Sequence, residues 1–570
     1  MPHAVAAVVG SLLLAATPIA AQSPVAARVD SIFRPWNRPE SPGCAVGVVR
    51  NDSMVFARGY GTADLEHGIP ITPTTVFDLM SVSKPFTAFA VLLLERQGKV
   101  HLDDDIRRYL PEVPVFERPI TIAQLLRHTS GLREVFRMEY LAGWRYDDVV
   151  SSHDAIDFVK RMRELNHLPG AEESYTNTGY LLLAELIERV SGMSLRDFGS
   201  RYMFGPLGMS DTRFRDSHRT LIPRLASSYQ RRDSTSYDLV PSSLDFGMFT
   251  TVADLARWEG NYASRTVGDS ALFLEQEQWT RLTSGDSVSY GAGIRLGTYR
   301  GLATRWHSGA GQGFRTIYAR IPSARLAVML LCNASEVDVE SLAWRVADVF
   351  LPSTLPSNQP IAPSGDSVAR MTQAVARAAR ASAVHLPVST LATFAGVYAP
   401  PGVANGRRVS LRDSILVADR GRVEAELVPL GANTFQMLGV PVVVKMTFIH
   451  NAGGDAVVFA PAGQTATRYA RVEPAVTTPQ AMAEYAGRYY SQELDVTYTL
   501  TVRDSTLTLE RPRYAPSVLK PLWRDDFLEP YPGADTRFER DPGGRVVGFR
   551  ITDVEGGVRG LWFARVPRLP

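Results

Sequence analysis

Lysine is nearly missing from this 570-residue chain: of 61 basic residues only Lys84, Lys99, Lys160, Lys445 and Lys520 are lysines. A lysine inside a motif therefore stands apart from generic surface charge. Cysteine is scarcer still, with Cys44 and Cys332 alone, which excludes a small disulfide-stapled scaffold and a cysteine-rich metal module. Each lies in an apolar run that reads as a strand, and in a chain long enough to build its own cores the pair reads as two buried thiols rather than a bridge. Charge of one sign is lacking as well. The balance of 61 Lys plus Arg against 59 Asp plus Glu leaves +2, which predicts no nucleic-acid partner and no polybasic membrane patch. The ten histidines form no H-x-H or H-E-x-x-H, so neither a metal nor another cofactor is expected. No G-x-S-x-G elbow occurs, which excludes a conventional α/β-hydrolase.

What is present is an ordinary globular composition, 45% hydrophobic and 21% charged. One apolar run, residues 4–20, is too short to span a bilayer comfortably and ends in Ala20 and Ala21 before Gln22; residues 1–21 read as a signal peptide, which places the mature chain in the periplasm or outside the cell, with no membrane span. Residues 44–49 and 54–60 form a strand pair around the turn residues Asn51, Asp52 and Ser53. Helical periodicity dominates from 81 to about 250, with capping-box spacing at Thr121 and Gln124, and strands return at 304–307, 314–321 and 325–332. Strands at both ends with helices between them imply one sheet assembled from distant parts, holding a helical insert, over 22–352. A Pro/Ser-rich linker with a short helix covers 353–386.

Beyond it the chain repeats itself. Phe394, Ala395, Gly396 and Tyr398 match Tyr485, Ala486, Gly487 and Tyr489; Arg412, Asp413 and Ser414 match Arg503, Asp504 and Ser505; both units close on Ala-Arg-Val. Two tandem all-β modules follow, 387–474 and 475–570.

Three short motifs carry chemistry. Ser81 and Lys84 are three apart at a helix start and so share one face. A serine hydroxyl becomes a nucleophile when a neighbouring base takes its proton, and the helix N-terminus offers free N–H groups to an oxyanion. A second S-x-x-K, Ser517 to Lys520, is flanked by prolines with no helix behind it and reads as chance. Tyr175 and Asn177 lie on a connection before an apolar helix, where a phenol can move a proton and an amide can orient an amine. His307 ends a strand, and the glycines from Gly309 to Gly313 leave room for a substrate backbone.

In this order (S-x-x-K, Y-x-N, H-x-G) the motifs resemble the serine β-lactamase and penicillin-binding-protein superfamily, and within it the class C β-lactamase, D,D-carboxypeptidase and D-aminopeptidase group, peptidase family S12. Residues 77–84 (FDLMSVSK), 125–132 (LLRHTSGL), 175–180 (YTNTGY), 206–212 (PLGMSDT), 254–258 (DLARW) and 306–315 (WHSGAGQGFR) all look like that family, across about 25–352. The resemblance implies an α/β (α+β) catalytic domain, an antiparallel sheet flanked by helices, followed by two lipocalin-like barrels. It implies a serine hydrolase in which Ser81 is acylated, Lys84 and Tyr175 move protons, Asn177 positions Lys84 and substrate, and the N–H groups of Ser81 and Ala310 form the oxyanion hole, with His307 and Gly309 at the substrate. One residue departs from the pattern. Typical β-lactamases carry lysine where His307 stands, so peptide, amide or ester substrates, D-amino-acid-containing ones among them, are expected ahead of β-lactams. The alternatives are a penicillin-binding or sensor-like protein that acylates without turnover, and a true β-lactamase.

Overall fold

The computed structural model describes residues 24–567 apart from 235, 357–364, 401–405, 420–423, 441, 451–453, 463–465, 530–532 and 554–555. Residues 1–21, which the sequence reads as a signal peptide, lie outside the described residues. No helix among those described is long and apolar enough to cross a membrane.

A six-stranded antiparallel sheet organises the first half. Its order is Arg295–Tyr299, Leu302–Gly311, Phe314–Ile321, Leu326–Cys332, Cys44–Arg50, Ser53–Tyr60. Two adjacent inner strands, Leu326–Cys332 and Cys44–Arg50, are buried on both faces, which explains their unbroken apolar sequence. The tight turn between the first two strands places Asn51 and Asp52 at φ 51° and 64°, a conformation that Asn and Asp tolerate best among residues with a Cβ. On one face the helices Pro24–Phe33 and Val339–Phe350 pack over Val46, Val48, Ile317 and Leu330. On the other, helices Lys84–Arg96 and Val252–Ser264 join the helical insert in a core holding Phe86, Phe89 and Trp258.

Cys44 and Cys332 form a disulfide, which corrects the expectation of two free thiols. The reason is register. The two residues stand directly opposite in this antiparallel pair, with Cα atoms 4.0 Å apart, although 288 residues separate them along the chain.

The repeated region folds into two closed eight-stranded barrels, one from Gly396–Ala399 to Thr467–Val472 and the other from Gly487–Ser491 to Leu561–Arg565. The sequence anchors have matching structural jobs. Tyr398 Oη donates to Phe394 O at 2.9 Å and Tyr489 Oη to Tyr485 O at 2.7 Å. The Asp413-Ser414 and Asp504-Ser505 pairs are two-residue hairpin turns with positive φ throughout. The second S-x-x-K lies in the barrel strand Ser517–Trp523, where Ser517 Oγ donates to Glu529.

Against the N-terminal half sits the second barrel. Its core is continuous with Val135, Met138, Leu141, Phe158 and Leu181 of the helical insert. Arg513 pairs with Asp148 at 2.7 Å, Tyr514 Oη donates to Trp144 O at 2.6 Å, and the buried Arg133 pairs with Glu493. The first barrel instead packs Val397 and Ala399 on Leu522, Trp523 and Leu528 of the second.

Candidate active site

The segment before Ser81 is clamped from several sides. Leu79 N donates to Met248 O at 2.8 Å, and Leu79 O accepts from Thr316 Oγ1 at 2.7 Å. Met80 takes φ 49°, a strained conformation for a side-chain-bearing residue, and Asp78 Oδ1 accepts its N–H at 2.8 Å. The strand Leu302–Gly311 runs beside this turn. A Cβ on Gly309 would stand 2.3 Å from Leu79 O, so the glycine lets strand and turn touch. Gly309 thus admits the protein's own backbone. The strand also runs further than the sequence predicts, to Gly311, and beyond Trp306 it no longer has Arg295–Tyr299 beside it, which leaves Ala310 exposed at an open edge.

Ser81 occupies a short turn of 3₁₀-helix, Met80–Ser83, that leads into the helix Lys84–Arg96. Lys84 Nζ lies 3.0 Å from Ser81 Oγ and 2.7 Å from Asn177 Oδ1. It also lies 4.9 Å from the Tyr175 ring centre and 5.5 Å from that of Tyr180. Asn177 opens the helix Asn177–Ser191 with Thr176 as its cap. Glu134 fixes that helix start: it accepts from Asn177 Nδ2 at 3.0 Å, Asn177 N at 2.6 Å and Thr176 Oγ1 at 2.9 Å. The amide oxygen of Asn177 is therefore turned to the lysine, because its nitrogen is held by a carboxylate.

Ser81, Lys84, Tyr175, Asn177 and Ala310 line one cavity of about 840 Å³. Its outer walls are aromatic, with Phe136, Tyr140, Trp144, Tyr146 and Phe246 from the N-terminal half and Tyr514 from the second barrel. Gly557 of that barrel also reaches the wall, where its carbonyl accepts from Glu134 N at 2.8 Å.

His307 is placed differently. It is buried behind Tyr175, their ring centres 6.2 Å apart, and is not among the residues lining the cavity. A chain of hydrogen bonds fixes its state. Thr176 N donates to His128 Nδ1 at 3.2 Å, so His128 donates from Nε2 to Tyr290 Oη at 3.1 Å. Tyr290 donates in turn to His307 Nε2 at 3.0 Å, and His307 Nδ1 donates to Ser308 O at 2.7 Å. Each ring carries one proton in this chain. Burial, reinforced by the Lys84 ammonium, pushes the His307 imidazole down to about 3, and the same causes push His128 well below its usual range.

Comparison with known proteins agrees with this geometry. The family model described as Beta-lactamase matches residues 29–350. The chain belongs to the β-lactamase family. Penicillin-binding protein 4* of Bacillus subtilis is 29% identical over 321 residues, 52% of this chain and 70% of that protein. A D-aminopeptidase of Cereibacter sphaeroides is 25% identical over 541 residues, 92% of this chain and 95% of that enzyme. Among solved structures, the octameric penicillin-binding-protein homologue of Pyrococcus abyssi shares the fold, with a TM-score of 0.53 and 20% identity over 78% of this chain and all of that one. This chain is accordingly a serine hydrolase of the β-lactamase-related type.

Several residues of the hydrolase's site escape a motif search. Glu134, His128 and Tyr290 act on the motif residues only through the fold. The RHTSG stretch around His128 gave a signal, since it belongs to the family-like segment 125–132. Glu134 and Tyr290 gave none. Asp78, 1% exposed, carries a carboxyl that burial pushes up to about 7.

Proposed function

We propose that this hydrolase cleaves small peptides, amides or esters through an acyl-enzyme on Ser81, with substrates carrying D-amino acids foremost. The observation that carries the mechanism is Lys84 Nζ within 3.0 Å of Ser81 Oγ and held by Asn177. Lys84, once it has given up its own proton, takes the Ser81 proton while Oγ attacks the substrate carbonyl carbon. The negative charge that forms on the carbonyl oxygen is received by the N–H groups of Ser81 and Ala310. Tyr175 relays the proton to the departing amine or alkoxide, the C–N or C–O bond breaks, and the acyl group stays on Oγ. Water, giving its proton back through Tyr175 and Lys84, then splits the ester.

Two observations favour amides and esters over β-lactams. The D-aminopeptidase relative aligns along nearly the whole chain, barrels included, and His307, which stands where β-lactamases carry a permanent cation, is neutral here. The test is turnover of D-aminoacyl amides, D-Ala-D-Ala peptides, p-nitrophenyl esters and nitrocefin by the native enzyme beside Ser81→Ala. Turnover of the first three with slow nitrocefin hydrolysis is expected; nitrocefin rates like those of dedicated β-lactamases would refute it. The likeness to penicillin-binding protein 4* favours a second reading, acylation without release, which a burst with no steady state would reveal.

We also propose that the enzyme is exported. The apolar segment 4–20 and the Cys44–Cys332 bridge, which persists best in an oxidising compartment, support this. A mature N-terminus after Ala21 is expected by mass spectrometry, and an intact Met1 would contradict it.

A further inference from the structure

On the helix Val135–Leu141, five residues beyond Glu134, stands a carboxyl that the mechanism does not use. Glu139 lines the substrate cavity, is 4% exposed, and its Oε1 is buried with no hydrogen-bond partner. A carboxyl left unsatisfied in a protein interior is costly unless a ligand completes it. The charged groups acting on it are Asp154, at the start of the next helix, Glu134, and Asp148 in the connection between the two helices, which Arg513 of the second barrel holds. All three of these groups are acidic. Three basic residues line the cavity: Arg137 stands two residues before Glu139 on the same helix, Arg145 is paired with Asp147, and Lys84 is engaged by Ser81 and Asn177. Around this carboxyl the walls are aromatic: Phe136, Tyr140, Trp144 and Tyr146.

We propose that Glu139 ends a specificity subsite for an ammonium group carried on the side chain of the acyl residue, so that the hydrolase prefers substrates with a basic, lysine-like residue next to the scissile bond. Glu139 and Ser81 line the same cavity, so an extended side chain on the acyl residue can run from a carbonyl held at Ser81 toward this carboxyl. The ring faces stabilise a cation as it loses water, and the acidic surroundings supply the field. The inference deepens the hydrolase reading, on which it rests for the identity of the ligand. Burial and the three acidic neighbours push the Glu139 carboxyl up to about 8. Binding of a cation at pH 7 therefore drives a proton off Glu139, and affinity strengthens as pH rises toward 8.

The test is calorimetric binding of D-lysinamide and D-norleucinamide, the latter lacking only the side-chain ammonium, to Ser81→Ala protein and to Ser81→Ala/Glu139→Gln protein. In the first, the lysine amide is expected to bind about tenfold or more tightly than its partner and to release protons, seen as a dependence of the heat on buffer ionisation. With Glu139→Gln both the preference and the proton release vanish. Equal affinity for the two amides, no measurable binding of either, or an unchanged preference in the double variant overturns the subsite. Should that variant misfold, the amide pair and the proton count on Ser81→Ala protein decide alone. Fluorophosphonate labelling of Ser81 in the native enzyme reads the hydrolase assignment separately: a labelled serine with no ammonium preference sinks only the subsite, an unlabelled serine with the preference intact only the hydrolase.

Discussion

Glu134 touches no substrate in the proposed chemistry, yet its two oxygens hold Asn177 by side chain and backbone and so aim the amide oxygen at Lys84. Glu134→Ala is expected to lower kcat about 10- to 100-fold through loss of that aim, with a smaller change in KM; steady-state kinetics on a p-nitrophenyl ester check this, and an unchanged kcat would contradict it. Asp78 makes the opposite kind of prediction, about stability. Its folded carboxyl titrates near 7 and its unfolded one near 4, so between those values the unfolded chain is ionised while the folded one holds a proton, and stability falls as pH rises. Asn in its place still accepts the Met80 N–H. Asp78→Asn should therefore match the native protein below about pH 4 and gain on it up to roughly 4 kcal/mol by pH 7; urea melts across that range measure it, and a gain that does not grow with pH would contradict it. The buried His307 and His128 act in the other direction, losing stability as pH falls below the unfolded histidine value of about 6.5.

At the scale of elements, the decisive joint is the pairing of Cys44–Arg50 with Leu326–Cys332, which closes the sheet between the two ends of the catalytic half. The bridge at its first position spans 288 residues. Replacing both cysteines with alanine is expected to cost about 2–5 kcal/mol and leave the geometry around Ser81 in place; thermal unfolding with and without reductant checks it, and a melting temperature indifferent to reduction would contradict it. What was legible in the sequence follows the range of the interaction. The strand pair turning at Asn51 and Asp52, the capping box of Thr121 and Gln124 and the Ser81–Lys84 face depend on residues a few positions apart, and each is in place. The disulfide depends on strand register over most of the catalytic half. The burial of His307 depends on Tyr290 and His128, which arrive from elsewhere in the chain. Neither leaves a local pattern to read.

Over the whole molecule, the barrels are not equivalent. The repeat announces two similar modules, but among the described residues only the second contributes to the cavity, through Tyr514 and Gly557, and buries the apolar face of the helices around Met138 and Phe158. Removing it would bare that face, so point changes probe its role more cleanly than truncation. Tyr514→Ala, at the aromatic wall, is expected to change kcat/KM several-fold for peptide amides that fill the cavity and little for p-nitrophenyl acetate, which needs only the Ser81 end; equal changes on both would contradict a wall built by the barrel. The proposed chemistry turns on one covalent bond, formed at Ser81. Intact-protein and peptide mass spectrometry after brief exposure to a fluorophosphonate should find one adduct per chain, located on Ser81, absent in Ser81→Ala and formed at least ~100-fold more slowly in Lys84→Ala. An adduct on another residue, or labelling of Ser81 at an undiminished rate without Lys84, would contradict it.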